Sequence, residues 1–296
     1  MPIPTRDPVL VSINGQITGP EEATISVFDR GFLHGDSVYE VMRTHHGRPL
    51  FWYAHRERLV ASAQRMGMIL GSLVNTIYTN MHGLLEGVTW GESYVRIVIT
   101  RGEGPLSLDP KTAYPPNRVI FAKPMPRVPQ KLLEIGCILT SFQTHRRDLG
   151  EEGNRDPKVK SGDRTLAVKG ARMARDTGAY ESLRVDTLGR VLEGGTSTFF
   201  GVKDGQLITP DLSVGILDGI TRRKVIEAAR TVGVEVITPT IYRHDLEALD
   251  EVFITSSVRG IVPVRNIDGL IYEAPGPITQ QLVAGYGDLM DRDVGV

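Results

Sequence analysis

Two lysines near the end of a long polar segment, and a third just beyond it, are the residues best suited to nucleophilic chemistry. Lys158 and Lys160 lie in residues 144–162, which are rich in charged residues, Gly and Pro, and Lys169 follows on a helical pattern with a basic face. A lysine acts as a nucleophile when burial or a neighbouring cation removes its charge near neutral pH. Lys160 lies where the polar segment meets the helix, so its side chain could point into a cleft, and Lys158 could point the same way. Spacing alone leaves both open and favours a solvated position for Lys169.

A glycine-rich turn runs directly into an amphipathic helix at residues 215–222. The first N–H groups of a helix have no partner within it and carry partial positive charge. Together with the Thr221 hydroxyl they could bind a phosphate. Arg58, in the helical pattern at residues 55–59, is a second candidate because a guanidinium can bind phosphate through two N–H groups. Each pattern alone is also typical of an ordinary helix without a ligand.

Glu193 ends a short strand and precedes Gly194 and Gly195, where a ligand or another backbone segment can come close. A carboxylate there could keep a bound ring nitrogen protonated, and the simpler interpretation is a carboxylate at a turn. The single cysteine, Cys137, lies in an apolar run and is predicted to be a core residue. The histidines have no metal-ligand spacing and no dinucleotide-binding glycine pattern follows a strand, so we expect neither kind of site.

Hydrophobic periodicity predicts the elements that must position these residues. Apolar residues recur with a helical period, often before a glycine, at residues 53–66, 72–86, 163–177, 221–232 and 277–290. Asn14-Gly15 predicts a hairpin between strands 9–13 and 16–18. Further strands are predicted at 38–44, 93–100, 118–122, 135–141, 181–186, 191–193, 198–203, 206–208, 235–238, 251–255 and 262–267. The pattern indicates an α+β fold in both halves of the chain.

Residues 123–130 contain three prolines, which predicts a stiff extended connector. We therefore predict a small α+β domain at residues 1–122, a linker at 123–130 and a larger domain at 131–296. The length of 296 residues, of which 41% are hydrophobic, is sufficient for a sizeable core and favours two domains.

The overall composition argues against several classes of partner. The formal charge is −1 and there is no long basic run, which argues against nucleic acid. No apolar run approaches the ~20 residues that a membrane span needs, and the first residues lack the apolar region of a signal peptide. We therefore expect a cytoplasmic protein without a membrane partner.

Taken together, the motifs resemble those of the fold-type IV pyridoxal-phosphate (PLP) enzymes, the class IV aminotransferases. This family includes branched-chain aminotransferases, D-amino-acid transaminases and aminodeoxychorismate lyases. The resemblance runs from Asp29 to about Asp268 and rests on six motifs in the family's order, at residues 29–40, 55–59, 157–161, 192–194, 219–222 and 250–253. It implies a small α/β N-terminal domain, a larger C-terminal domain with a β-barrel-like sheet and flanking helices, and a homodimer.

The resemblance also implies roles for particular residues. The family's lysine follows a P-x-x pattern and precedes Ser, which selects Lys160 over Lys158 as the residue that holds PLP as a Schiff base. Freed Lys160 would act as general base and acid at the substrate α-carbon, with ping-pong kinetics. Glu193 would pair with the pyridine nitrogen. The phosphate would be held by Arg58, the amides of Ile220 and Thr221, the Thr221 hydroxyl and Ser257.

Tyr94-Val95-Arg96 matches an aromatic-x-Arg signature of the branched-chain aminotransferases. In that subgroup Tyr94 and the amides around Ser257 and Val258 would face the α-carboxylate, and Arg96 would bind the side-chain carboxylate of glutamate or 2-oxoglutarate. Tyr39 and Phe32 would shape the pocket. The resemblance therefore predicts transfer of an amino group from an amino acid, with a branched-chain L-amino acid expected, to a keto acid such as 2-oxoglutarate.

Two positions depart from the subgroup. His34 stands where a tyrosine is usual, and Arg259 stands in the turn after Val258 where a small residue is usual. An additional arginine could favour another keto acid, a D-amino acid or a substrate with two carboxylates. The alternatives are accordingly a D-amino-acid transaminase or an aminodeoxychorismate lyase on the same scaffold, and a non-catalytic protein that binds a phosphorylated ligand.

Overall fold

The computed structural model describes residues 8–144 and 156–296. The chain forms two compact units, one of Met1–Pro126 with Val159–Asp163 and one of Arg127–Lys158 with Arg164–Val296. The domain boundaries placed at residues 122 and 131 stay a prediction. The segment Val159–Asp163, which that prediction puts in the larger domain, belongs to the first unit. The charged part of the predicted loop, residues 146–155, lies outside the described residues.

The first unit contains one antiparallel sheet and three helices. Its strands are β1 (Leu10–Ile13), β2 (Gln16–Thr18), β3 (Ser37–His45), β4 (Arg48–Pro49), β5 (Ser93–Thr100) and β6 (Arg118–Pro124), and its helices are α1 (Arg30–His34), α2 (Trp52–Arg65) and α3 (Leu73–Glu86). The sheet has six strands in the order β2-β1-β6-β5-β3-β4. At the tip of the first hairpin, Asn14 and Gly15 have φ of 53° and 97°, which confirms the predicted turn.

Side chains alternate between the two faces of β3 and β5, as the pleat requires. On one face Val38, Met42 and Ile97 are fully buried in a core that includes Leu59 of α2 and Ile77 of α3. On the other face Tyr94, Arg96 and Val98 of β5 are only half-buried. The helices therefore cover one face, and the opposite face carries the polar and aromatic residues considered below.

The second unit is a larger α+β assembly. Its strands are β7 (Cys137–Thr144), β8 (Glu181–Asp186), β9 (Val191–Gly194), β10 (Thr198–Lys203), β11 (Gln206–Ile208), β12 (Val236–Ile237), β13 (Glu251–Ser256), β14 (Gly260–Ile267) and β15 (Leu270–Ile271), and its helices are α4 (Gln130–Ile135), α5 (Thr165–Thr177), α6 (Ile220–Thr231) and α7 (Pro277–Val294). The nine-stranded sheet runs β12-β11-β10-β13-β14-β7-β8-β9, with β15 on β14, and curls into a half-barrel. The predicted α+β class is confirmed.

Two short helices and the ends of two strands differ from the prediction. Helix α4 occupies the end of the predicted linker and the start of the strand predicted at 135–141, so that β7 begins only at Cys137. Strand β6 continues to Pro124, inside the predicted linker. Helices α1 and α4 have 5 and 6 residues, too few to display a helical period in the sequence.

Cys137 is a core residue, as predicted, with 1% of its surface exposed. Burial, with the nearby charge of Glu181, raises the pKa of its thiol to about 12, so the thiol stays protonated. Among residues 8–144 and 156–296, the structure contains no helix with both the length and the apolar character needed to span a bilayer.

Candidate active site

The backbone of Lys160 is held by β3 and α2. The amide of Tyr39 donates to the Lys160 carbonyl at 3.0 Å, and the amide of Gly162 donates to the Ser37 carbonyl at 2.8 Å. On the other side, the Lys160 amide donates to the hydroxyl of Ser62 at 3.2 Å. A Cβ at Gly162 would overlap the Ser37 hydroxyl, so the glycine permits this close pairing. Lys160 is therefore fixed to a sheet edge although it follows an irregular segment.

The ring of Tyr39 lies beside two cations. The ammonium nitrogen of Lys160 is 4.8 Å from the ring centroid, and the guanidinium carbon of Arg96 is 4.7 Å from it. Both distances are typical of cation–π contacts. Tyr39 is 5% exposed, so the ring is a fixed surface that both side chains contact. Three of the residues selected from the sequence thus come together within the first unit.

Tyr94 and Arg96 lie two residues apart on β5 and share the face opposite the helices. In the register with β3, Arg96 pairs with Val41 and Tyr94 pairs with Arg43. The Lys123 ammonium lies 5.6 Å from the centre of the Tyr94 ring. This face therefore carries several cations, which suits it to bind carboxylates. His34 is exposed at the end of α1.

A buried ionic cluster fixes Arg58 on α2. The Glu40 carboxylate accepts from Nε of Arg58 at 2.8 Å and from Nη2 at 2.7 Å, and Nδ1 of His55 lies 2.7 Å from the same carboxylate. Burial alone would raise the pKa of Glu40, but the charge and hydrogen bonds of Arg58, with the His55 hydrogen bond, outweigh it and hold that pKa well below its usual range.

His55 completes this cluster as a neutral donor. Burial lowers its pKa against the attraction of Glu40, and the positive charges of Arg58 and Lys160 lower it further. An ionised carboxylate can only accept, so the proton of the imidazole is assigned to Nδ1. The cluster holds the guanidinium of Arg58 in one plane by two parallel hydrogen bonds.

In the second unit, the beginning of α6 forms an anion-binding arrangement. Gly219 is the N-cap and offers no side-chain acceptor to the amides of the first turn. The hydroxyls of Thr221 and Ser257 lie 3.5 Å apart at this end of the helix. A Cβ at Gly219 would lie 2.8 Å from the Thr198 hydroxyl, so the close approach requires glycine. Helix amides with two hydroxyls are a donor set that fits a phosphate dianion.

Glu193 on β9 is anchored on both carboxylate oxygens. Oε1 is ion-paired with Arg184 of β8, and Oε2 accepts from the Leu217 amide at 3.2 Å. Leu217 lies in the turn that leads into α6, so one carboxylate links β9 to the phosphate-binding turn. With 16% of its side chain exposed, Glu193 can still accept from a protonated ring nitrogen, since a carboxylate has further lone pairs.

Ser257, Val258 and Arg259 form the turn between β13 and β14. The guanidinium of Arg259 is directed to Glu181, with Nη1 at 2.6 Å from Oε2. The second unit thus brings together the residues selected for the ring nitrogen, the phosphate and the adjacent turn.

The supporting residues Glu40, His55, Ser62, Glu181 and Arg184 were not selected from the sequence. One signal was available for two of them, because Glu40 and Arg184 each stand between two apolar residues within a predicted strand. A charged residue at such a position needs a partner of opposite charge. The sequence did not indicate which residue that partner would be.

The chain is similar to known proteins over most of its length. The model of the family described as "Amino-transferase class IV" matches residues 37–267. A Methanocaldococcus jannaschii protein, provisionally named as a branched-chain-amino-acid aminotransferase, is 33% identical over 284 residues, covering 95% of this chain and 96% of that protein. A D-alanine aminotransferase of Listeria innocua is 29% identical over 280 residues, covering 92% and 93%. The crystal structure of the Escherichia coli branched-chain aminotransferase superposes with a TM-score of 0.87 at 25% identity, covering 96% of this chain and 95% of that one.

The fold and the donor sets define an α+β enzyme built to hold a phosphorylated cofactor. The chain belongs to the class IV aminotransferases. Enzymes of this family use pyridoxal phosphate. Within the second unit, the Glu193 carboxylate and the hydroxyls at the start of α6 are groups of the kind that a pyridine ring and a phosphate require, and within the first unit Lys160 offers an amine. The predictions of family, enzyme class and cofactor are confirmed.

Proposed function

We propose that this enzyme transfers the amino group of a branched-chain L-amino acid to 2-oxoglutarate. The observation that carries the proposal is the shared contact of Lys160 and Arg96 with the Tyr39 ring. Through this ring, the amine that would react lies close to an arginine that can bind a side-chain carboxylate. The M. jannaschii relative supports the same substrate class by its name.

In this proposal the cofactor is covalently bound by Lys160. Glu193 binds the ring nitrogen, and Arg184 holds the Glu193 carboxylate in position. The phosphate is bound by Arg58, the amides of Ile220 and Thr221, and the hydroxyls of Thr221 and Ser257. When bound, the cofactor withdraws electrons from the substrate α-carbon.

The remaining chemistry is assigned to side chains of this chain. When it is not bonded to the cofactor, the Lys160 amine would take the proton from the substrate α-carbon as general base and later donate a proton as general acid. Tyr94 and the amides near Val258 orient the α-carboxylate, and Arg96 binds the second carboxylate of the dicarboxylate partner. Tyr39 and His34 shape the side-chain pocket. Because one site binds the two substrates in turn, ping-pong kinetics follow.

A D-amino-acid transaminase is the second candidate, because the L. innocua relative is named a D-alanine aminotransferase. A spectrophotometric half-reaction screen separates the candidates by offering L-leucine, L-valine, D-alanine and L-glutamate to the enzyme. Rapid conversion by L-leucine supports the branched-chain proposal, and conversion by D-alanine alone contradicts it. Pyruvate release from aminodeoxychorismate without amino transfer would indicate the lyase.

The role of Lys160 is tested with a matched lysine two residues away. Lys160→Ala should lower transfer from the best donor by at least about a thousandfold, because the general base is removed. Lys158→Ala should retain the wild-type rate. Borohydride reduction followed by peptide mass analysis should locate the cofactor on Lys160. Activity in Lys160→Ala, or label on Lys158, would contradict the assignment.

A homodimer is part of the proposal. An apolar face of the first unit consists of exposed residues on two neighbouring segments. The segments are joined by the Gly104 amide, which donates to the Phe28 carbonyl, and by Arg30, whose Nη2 donates to the Leu108 carbonyl at 3.2 Å. The exposed side chains of this apolar face are Val27, Phe28, Phe32, Leu106, Leu108 and Tyr114. A second copy of the chain would cover this face. We also propose that the enzyme is located in the cytoplasm.

A further inference from the structure

The guanidinium of Arg259 makes contacts with several residues of the second unit that the proposed function does not explain. It lies in the turn between β13 and β14 beside Ser257 and Val258, and 17% of its side chain is exposed. Its Nε donates to the Ser256 hydroxyl at 3.1 Å, its Nη2 donates to the Thr196 hydroxyl at 2.8 Å, and its Nη1 is ion-paired with Glu181 at 2.6 Å. All three guanidinium nitrogens are therefore engaged within the second unit.

Tyr180 adds a further contact to this guanidinium. Its ring centroid is 5.5 Å from the Arg259 Cζ. Burial would lower the pKa of Arg259, but Glu181 and Tyr180 outweigh it and raise that pKa, so the side chain is a permanent cation. A cation held in this way is oriented by its neighbours before any substrate binds.

Glu181 connects Arg259 to the turn that follows Glu193. Its Oε1 accepts from the Thr196 amide at 2.6 Å and from the Thr196 hydroxyl at 3.1 Å. The packing is tight, since a Cβ at Gly194 would lie 2.9 Å from Oε1 of Glu181. Glu181 thus fixes the turn after Glu193, while Arg259 fixes the turn of Ser257 and Val258, and a buried ion pair joins the two.

We propose that Arg259 and Glu181 are a pair of positioning residues that set the spacing of these two turns. The inference rests on the proposed function for its effect on catalysis, because Glu193 would bind the cofactor ring and the turn at Ser257 and Val258 would bind phosphate and α-carboxylate. Arg259 would then affect the binding of every substrate to the same extent, because it acts through the position of the turns. The sequence had indicated a direct contact with a substrate carboxylate, and the two roles predict different results.

Amide hydrogen exchange on the holoenzyme tests the pair without using activity. Arg259→Met should accelerate exchange at the Thr196 amide by about tenfold, although residue 259 does not bind that amide. Glu181→Gln should accelerate exchange at residues 256–260 to a similar extent. Arg265→Met, an exposed arginine on the adjoining strand β14, is the matched control and should leave both turns unchanged. Unchanged exchange in Arg259→Met and Glu181→Gln would overturn the proposal.

Kinetics on the same variants separate positioning from direct binding. Arg259→Met and Glu181→Gln should raise KM for L-leucine and for L-glutamate by the same factor, about tenfold, and weaken PLP binding. Arg259→Lys keeps the charge opposite Glu181 but loses the contacts with Ser256 and Thr196, so it should recover only part of the loss. Glu181→Met with Arg259→Met should be no worse than either single change. Loss confined to L-glutamate and 2-oxoglutarate in Arg259→Met, with Glu181→Gln silent, would show a direct substrate contact and overturn the proposal.

Failure of the proposed function would be seen in the activity of the wild-type enzyme rather than in hydrogen exchange. If the wild-type enzyme transfers no amino group from L-leucine, the proposed substrate is wrong, while accelerated exchange in the variants would still support the pair. If the wild type is active and the exchange is unaffected, the pair is wrong and the proposed function stands. Glu181→Gln preserves side-chain size, so the test of the pair does not depend on whether Arg259→Met folds.

Discussion

At the scale of single residues, the site depends on charges that are buried with their partners. Glu40 in the first unit and Glu193 in the second each accept a hydrogen bond from an arginine side chain. Removing one member of a buried ion pair leaves the other unpaired, which destabilises a protein by about 3 kcal/mol or more. These glutamates therefore tie the position of a proposed cofactor ligand to the stability of its unit.

Glu40→Gln should lower the free energy of unfolding at neutral pH. It should also make that free energy fall less as the pH is lowered. The pKa of Glu40 in the folded chain lies below its ordinary 4.5, so its stabilisation is complete above that pH and is lost as the pH falls further. Thermal unfolding of the cofactor-free protein from pH 7 to pH 3 should show a steep fall for the wild type. Glu40→Gln should start about 3 kcal/mol lower and fall less steeply.

Glu57→Gln is the control for this prediction, since Glu57 is exposed on the same helix. It should follow the wild-type curve. Asp36 contributes acid sensitivity with the same sign in every variant, because its ion pairs with Arg101 and Arg30 outweigh burial and keep its pKa below 3.8. A Glu40→Gln curve parallel to that of the wild type would contradict the assigned charge state of Glu40.

Residues that carry the family's motifs could be selected from the sequence, and their supports could not. Lys160 and Glu193 stand in short patterns with local signatures. Glu40 and Arg58 are 18 residues apart, and Glu181 and Arg259 are 78 apart, so their pairing depends on how strands and helices pack. A single sequence contains no record of such pairs.

At the scale of elements, α2 carries two of the functional contacts on one face. Arg58 and Ser62 lie four residues apart, which places their side chains on the same side of a helix, and both are buried. Arg58 is a proposed phosphate ligand, and the Ser62 hydroxyl accepts a hydrogen bond from the Lys160 amide. A displacement of this helix would therefore disturb both proposed cofactor ligands together.

Ser62→Ala tests this coupling. The Lys160 amide would lose its acceptor, which costs about 1 kcal/mol, and Lys160 would be less well positioned. We expect kcat to fall by up to about tenfold for every amino donor, with the ratio between donors unchanged. Ser72→Ala, at an exposed serine that precedes α3, is the control and should retain the wild-type kcat. A change in donor preference in Ser62→Ala would instead indicate that Ser62 lines the substrate pocket.

Long elements were predicted more accurately than short ones for a physical reason. Helices α2, α3 and α6 bury one side and expose the other, so the pattern of their apolar residues repeats over several turns. The pairing of Val159–Asp163 with β3 joins residues more than a hundred positions apart along the chain, through backbone groups that every residue possesses. No side-chain pattern could reveal it.

At the scale of the whole molecule, the chain passes from one unit to the other and back before Arg164. The first unit contains the proposed reactive lysine, and the second contains the proposed ligands of the ring nitrogen. In the proposed homodimer, a second copy of the chain would cover the apolar face of the first unit. Large exposed apolar groups close together are unusual on a monomer and commonly mark an interface.

Leu108→Glu should separate the proposed homodimer. Leu108 is 81% exposed on the apolar face, and a carboxylate there would be buried without a partner in an interface between two copies. Light scattering after gel filtration should give the mass of two 32.6-kDa chains for the wild type and of one for the variant.

Ile69→Glu is the matched control, because Ile69 is 89% exposed in the same unit but outside the face, and it should remain dimeric. The milder Leu108→Ala should weaken association, so that its apparent mass rises with protein concentration. A Leu108→Glu variant that keeps the mass of two chains would place the interface elsewhere, and a wild type with the mass of one chain would remove the dimer from the proposal while leaving the chemistry of Lys160 untouched.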